Sequence, residues 1–364
     1  MSQINVLVTD DSAFMRRAIT TMIDNEPDMK VIATARSGEE AITKALQMNP
    51  DVITMDVEMP GMGGLEAVRQ IVADHRIPII MCSSLTHEGA ETTFRALELG
   101  AVDFITKPDA AYVNITDVAR DLIQKIRTVS RRGAQPAQPI VQTPPPAAQE
   151  RRILVPPPVA APPSPLRALS QYHFIAIGTS TGGPVALSHV IPLFPANFPI
   201  PILIVQHMPM GFTRPLSDRL NSQSKISVHE AVNGMVLAGG TALVVPSGKQ
   251  AALRHTSSSE VEIRLVEDDG TSLHVPSVDV LMEQTAEIYG AHAIGVILTG
   301  MGQDGVKGLR KLKERGGYII GQDEATCVVY GMPRAAAKEG LVDRELPLDR
   351  IAPTICELSG VAKS

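Results

Sequence analysis

Phe174-Ile175-Ala176-Ile177-Gly178-Thr179-Ser180-Thr181-Gly182-Gly183-Pro184 is the stretch whose reading decides the fold of this chain. Four apolar residues, two of them β-branched, read as a buried strand. A glycine-rich turn with Ser180 at its centre follows, and an apolar-periodic run from Val185 to Ile191 reads as a helix. Strand, glycine turn and helix are the setting in which a serine is lifted out of a sheet as a nucleophile. Gly178 and Gly182 permit a tight turn without a Cβ clash. The helix points its free N–H groups and positive dipole end at the same spot, where an oxyanion would be stabilised. The same geometry suits a phosphate, although the dinucleotide fingerprint wants glycine where Ser180 stands. On this stretch alone a nucleophile, an anion-binding loop and a plain turn stay open.

Further along, Ile200 to Gln206 reads as a second strand, ending at His207-Met208-Pro209. Ala242 to Pro246 reads as another, and Val261 to Val266 alternates like a hairpin or edge strand. Ser277 can cap a helix from Val278 to Tyr289. Ala293 to Leu298 is a strand that runs into Thr299-Gly300-Met301-Gly302-Gln303-Asp304-Gly305, with a helix from Val306 to Glu314. Tyr318 to Ile320 is a short late strand, and a final helix is expected near Pro333 to Lys338. The pattern predicts a doubly wound α/β domain. Ser180, His207 and Asp304 each stand just past the C-terminal end of a buried strand, so they can meet on one edge of one sheet. A serine needs a base near neutral pH, and that base needs a carboxylate to orient it. The Met301 N–H is a candidate oxyanion donor, with the helix start after Ser180, at Thr181, as a second. The order Ser…His…Asp differs from that of α/β-hydrolases. No His-Glu-x-x-His or Cys/His cluster suggests a metal or other cofactor here.

The first 127 residues alternate strand and helix five times, which predicts a parallel sheet covered on both faces. Asp10 with Asp11, Asp56, Ser83 and Lys107 fall at the C-terminal ends of four different strands or directly after them, where such sheets bind ligands. Crowded carboxylates need a cation, and oxygen ligands without His or Cys suit Mg²⁺. A carboxylate can also be the acceptor in phosphoryl transfer.

Between the halves the composition changes. Residues 131–170 hold 11 of the 28 prolines, with three Pro-Pro runs and no helical or strand periodicity. Such a segment favours extended polyproline II and reaches on the order of 100 Å. The expected layout is 1–127, a domain; 128–171, a Pro-rich linker; 172–364, a second domain. The whole chain has 364 residues, 44% hydrophobic and 20% charged, with a formal net charge of −6. With no basic run on a helix, this excludes nucleic-acid binding as the expected output. The apolar runs are strand-sized, so no membrane insertion is expected. A strand begins by Ile4, leaving no room for a signal peptide. Cys82, Cys327 and Cys356 read as reduced, buried thiols of a cytoplasmic protein.

The first domain resembles the receiver of bacterial response regulators, through Asp10-Asp11, Asp56 followed by Met59-Pro60-Gly61, Ser83 and Lys107-Pro108. The resemblance implies a flavodoxin-like fold, phosphorylation on Asp56, and Mg²⁺ on Asp11, Asp56 and the Glu58 carbonyl, with Asp10 acting through water. Ser83 and Lys107 become the switch residues. The second domain carries Gly178-Thr179-Ser180-Thr181-Gly182-Gly183, Gln206-His207-Met208-Pro209, Pro276-Ser277-Val278-Asp279-Val280-Leu281 and the 299–305 stretch. Together with the receiver these are similar to the CheB-type chemotaxis protein-glutamate methylesterases/glutamine deamidases. The likeness implies a Rossmann-like hydrolase domain in which Ser180 is nucleophile, His207 base and acid, and Asp304 orienter. It implies demethylation and deamidation of methyl-accepting chemotaxis receptors, with the chemotaxis histidine kinase as phosphodonor. Two readings compete with it: a nucleotide-binding regulator, against which stands the lack of a lysine in the 180–183 loop, and a receiver fused to a non-catalytic α/β domain.

Overall fold

A computed structural model describes residues 3–84, 86–107, 115–130, 171–256 and 260–361. The expected Pro-rich segment from 131 to 170 and Pro108 lie outside the described residues.

The first half alternates β1 (Ile4–Thr9), α1 (Ala13–Asp24), β2 (Met29–Ala35), α2 (Gly38–Met48), β3 (Val52–Asp56), α3 (Gly63–His75), β4 (Ile79–Ser83), α4 (His87–Glu98), β5 (Asp103–Thr106) and α5 (Ile115–Ser130). Its five strands are parallel, in the order β2-β1-β3-β4-β5. The central strands β3 and β4 are buried at every residue, which is why they read as mostly apolar runs rather than alternating ones. Ser12 and Ser37 cap α1 and α2 by accepting a hydrogen bond from the N–H three residues on.

The second half contains β6 (Phe174–Thr179), α6 (Gly183–Val190), β7 (Ile202–Gln206), α7 (Thr213–Gln223), β8 (Ser227–Glu230), β9 (Thr241–Val244), β10 (Gln250–His255), β11 (Val261–Val266), α8 (Val278–Ile288), β12 (Ala293–Ile297), α9 (Val306–Glu314), β13 (Tyr318–Gln322), α10 (Met332–Lys338), β14 (Arg344–Leu346) and α11 (Leu348–Leu358). Seven strands form a parallel sheet in the order β14-β13-β12-β6-β7-β9-β8. The chain starts at β6, builds outward through β7, then returns to build the other side from β12. The switch point therefore lies between β6 and β12, where open α/β sheets bind ligands.

Val261 to Val266 forms a hairpin with β10, as its alternation suggested, and the pair stands outside the main sheet. Other features depart from the sequence reading. The last helix is not α10 but α11, which carries Pro353 inside it; a proline there argues against a helix in sequence terms, yet Ile351, Ala352 and Ile355 are buried and hold it. Only Cys82 of the three free thiols is buried, while Cys327 and Cys356 are half-buried. Gly182 does take a left-handed φ of 78°. Gly178 has no such φ; a Cβ there would lie 2.2 Å from Val278 Cγ1. Its glycine is needed for the close approach of α8 to β6, not for the turn.

Because α8 carries part of the site described below, this approach is testable. Gly178→Ala should cost about 1–3 kcal/mol, read as a lower urea midpoint with unchanged slope. A midpoint equal to the parent's would show that α8 moves aside without penalty.

Candidate active site

The first cluster lies at the C-terminal edge of the five-stranded sheet. Asp10 and Asp56 are buried and Asp11 is exposed, and one carboxylate oxygen of each lies within 4.8 Å of the others. Lys107 Nζ stands 2.6 Å from Asp56 Oδ2 and 3.2 Å from Asp10 Oδ2. Asp10 Oδ1 accepts from the backbone N–H of Ser12, and Asp56 Oδ1 from that of Glu58. Burial pushes the Asp56 carboxyl up to about 6; Lys107 opposes this and the Asp10 charge adds to it. Two buried Oδ2 atoms have no hydrogen-bond partner beyond that one ammonium. An all-oxygen cluster short of positive charge fits a hard divalent cation. The Glu58 side chain is exposed. Ser83 is fully buried, and its Oγ lies 2.8 Å from Thr93 Oγ1 and 3.2 Å from the Gly89 carbonyl, which ties it to the first turns of α4.

The second site lies at the switch point of the seven-stranded sheet. The register pairs Thr179 with Gln206 and Ile297 with Gly178, so the residues after β6, β7 and β12 leave the sheet side by side. His207 N–H donates to the Thr179 carbonyl, and Gln206 Nε2 donates to the carbonyls of both Ser180 and His207 at 2.8 Å. Thr299 joins the third strand to these: its carbonyl accepts from Ser180 N–H and Thr179 Oγ1, and its hydroxyl donates to the Thr181 carbonyl. Gly300 packs so close to Ser180 that a Cβ would lie 2.8 Å from the serine Cβ. Ser180 is half-buried, and its φ is not positive. The left-handed residue is Gly182, two positions on.

His207 Nε2 lies 2.8 Å from Asp304 Oδ2. Its Nδ1 is buried and has no partner among the described residues, and is thus the ring nitrogen free to act as a base. Asp304 also accepts from Val278 N–H at 2.7 Å, Ser277 Oγ at 2.9 Å and Asp279 N–H at 3.0 Å. Burial alone would raise its pKa, but the His207 contact and the N–H groups at the start of α8 hold it well below the usual carboxylate range. Of the three residues expected to meet, His207 and Asp304 are in contact, while Ser180 shares their sheet edge without a hydrogen bond to His207 among the described residues. The N–H groups of Thr181 and Met301 act as donors in no hydrogen bond found among the described residues.

Sequence reasoning missed His274. Its ring stacks on His207, with centroids 4.1 Å apart and planes 19° off parallel. Burial, and then the neighbouring His207, push it down to about 4. It lies 67 residues after His207, in a stretch without periodicity, so no signal marked it. Gln206 was legible only as part of a motif.

The two halves touch across this edge. Thr181 Oγ1 donates to Asp103 Oδ2 at 2.6 Å, and Thr128 Oγ1 donates to Met301 Sδ at 2.6 Å. The Phe212 ring lies 4.6 Å from Phe104 and 6.3 Å from Phe94, and Arg219 pairs with Glu98. Both candidate oxyanion residues are therefore gripped by side chains of the first domain.

Comparison with known proteins agrees with this geometry. The CheB methylesterase family model matches residues 175–355, and the response regulator receiver domain model matches residues 6–115. A protein-glutamate methylesterase/protein-glutamine glutaminase of Nitratidesulfovibrio vulgaris is 46% identical over 361 residues, covering 97% of this chain and 98% of its own. The chain belongs to the CheB methylesterase family. A further member, from Vibrio parahaemolyticus, is 43% identical, covering 99% of this chain and 100% of its own. The crystal structure of the Thermotoga maritima CheB methylesterase catalytic domain is 42% identical, with a TM-score of 0.50, covering 51% of this chain and 98% of that one. The chain thus pairs a receiver with a methylesterase domain. No helix among the described residues is long and apolar enough to cross a membrane.

The stacked histidine makes a pH prediction. A histidine with an ordinary value in the unfolded chain and about 4 in the fold binds its proton more tightly when unfolded. Its neutral-form stability is complete above about pH 6.5 and is lost as pH falls toward 4. His274→Phe keeps a ring against His207 and removes the titration. Between pH 7 and 4 the parent should lose more thermal stability than the variant. Parallel losses would show that His274 does not titrate in that window.

Proposed function

We propose that Ser180, His207 and Asp304 carry the hydrolysis of γ-glutamyl methyl esters, and the deamidation of glutamines, on methyl-accepting chemotaxis receptors in the cytoplasm. The observation that carries this reading is the 2.8 Å His207–Asp304 pair on the sheet edge that also holds Ser180. Ser180 Oγ attacks the ester carbonyl while its proton passes to His207 Nδ1. The developing oxyanion is met by the N–H groups of Thr181 and Met301. Collapse expels methanol, or ammonia from a glutamine, which takes the proton from Nδ1. Water then attacks the acyl-serine by the same route and releases the free glutamate side chain. Asp304 stays ionised throughout, since four donors hold it. Its task is to fix the ring and offset the imidazolium charge.

On the same reading Asp56 is the phosphorylation site and the chemotaxis histidine kinase the donor. Mg²⁺ held by Asp10, Asp11 and Asp56, with the Glu58 carbonyl, would neutralise the phosphoryl charge when bound. Lys107 already faces that oxygen at 2.6 Å. Ser83 reaches the phosphoryl group only by leaving Thr93 and Gly89. That releases the start of the helix whose Phe94 and Glu98 sit on the catalytic domain. The receiver is a lid because it holds Thr181 and Met301, and phosphorylation weakens its contact. A tethered lid needs only a weak interface, so a shift of a few kcal/mol suffices.

Two measurements of methanol release from methylated receptor membranes test this. Ser180→Ala should lose nearly all activity with the fold intact; activity within tenfold of the parent, about 1.4 kcal/mol of barrier, would remove Ser180 from the mechanism. Asp304→Asn should lose turnover by orders of magnitude through the wrong tautomer.

Regulation is tested separately. A fragment from Tyr172 onward should outrun the unphosphorylated full chain and ignore a small phosphodonor, which should activate the parent but not Asp56→Asn. Asp103→Ala should raise the unphosphorylated rate several-fold. A fragment slower than the unphosphorylated parent would make the receiver an activator.

A further inference from the structure

The Pro276-Ser277-Val278-Asp279 motif has no role in the reaction described above beyond the Ser277 and backbone contacts to Asp304. Asp279 itself is half-buried between two helix starts. Its Oδ1 accepts from Gly305 N–H at 2.9 Å and from Gly308 N–H at 3.0 Å, at the N-terminus of α9. That helix has Gly305 as its N-cap, with a φ of 101° and no side chain to satisfy its first donors. In return, Asp304, one residue before that cap, accepts from the first N–H groups of α8. Each helix start is closed by a carboxylate from the other's sequence. The helices approach so closely that a Cβ on Gly308 would lie 2.4 Å from the Asp279 carbonyl.

A single helix end could take any acceptor. Here the exchange fixes one peptide: the Asp304–Gly305 link has its carboxylate held by α8 and its N–H held by Asp279. The loop that ends there, from Thr299, also carries Met301. We infer that Asp279 is a positioning residue for the hydrolytic reaction, holding Asp304 at the distance and angle that His207 requires. The inference rests on the assignment of Asp304 as the orienter. Asp279 touches no substrate and donates no proton; it acts through the loop. Freed from it, the start of α9 has two donors without an acceptor, and the Asp304 backbone can shift by the fraction of an ångström that loosens a positioned pair.

The test uses the full-length, phosphodonor-activated protein on methylated receptor membranes. Asp279→Ala should lower kcat at least tenfold with KM within twofold of the parent. Asp279→Asn keeps an acceptor oxygen for both N–H groups and should recover most of that loss. A proton resonance of the His207 Nε2–H bonded to Asp304, identified by its loss in Asp304→Asn, should shift or broaden in the alanine variant and persist in the asparagine variant. Asp279→Ala with lowered thermal stability but parental kcat and an unmoved resonance, well below its melting point, would reduce Asp279 to a structural cap and overturn the inference. Equal losses in Ala and Asn, with the resonance unmoved in both, would overturn it as well. Asp304→Asn runs alongside: if it retains the parental rate, the orienter assignment fails first and the fault lies there.

Discussion

A half-buried carboxylate at a sheet edge has to be surrounded by donors, and the surroundings of Asp304 organise the catalytic half of this protein. Its two oxygens accept from one imidazole, one hydroxyl and two backbone N–H groups. Each donor comes from a place that must then be fixed. His207 is set by the end of β7, Ser277 and its successors by the start of α8, and Asp304 itself by the cap of α9. The tight seating of α8 requires glycine at 178, in a different strand. Ionisation, helix packing and base orientation are thus one constraint.

The same economy of contacts joins regulation to chemistry. The receiver does not reach Ser180 or His207 through any hydrogen bond found among the described residues. It holds the neighbours, Thr181 and Met301, whose backbone groups face the reacting carbonyl in the proposed mechanism. The surrounding interface is aromatic, with Phe94, Phe104 and Phe212 in mutual contact. In the proposed mechanism this contact holds the tethered receiver and yields when α4 is disturbed. Asp103 pairs with the buried Lys125, which also meets the half-buried Asp121, so the Thr181 hydrogen bond is anchored at its receiver end.

Much of this could be read without a structure because its signals are local. Strand–turn–helix succession, mostly apolar runs in β3, β4, β6 and β7, and serine caps each depend on a few consecutive residues. In a parallel sheet all strand ends point the same way, so residues after successive strands fall on one edge whatever their separation. That rule brought Ser180, His207 and Asp304 together on paper, and likewise Asp10, Asp56, Ser83 and Lys107. Helix α11 went unread: it carries Pro353 inside it, and burial of Ile351, Ala352 and Ile355 holds it.

What the sequence by itself determined is the family, the two parallel sheets and the side of each that carries chemistry, since these follow from periodicity and motif order. What only the tertiary structure decided is which groups face each other across elements distant in sequence. No pattern in the chain announces that His274 stacks on His207, that Gly178 makes room for Val278, or that Asp279 and Asp304 exchange helix ends. Nor does any local feature place Asp103 on Thr181. These contacts depend on how two helices approach and how two domains dock, and such distances arise from packing of the whole molecule rather than from the propensity of any segment.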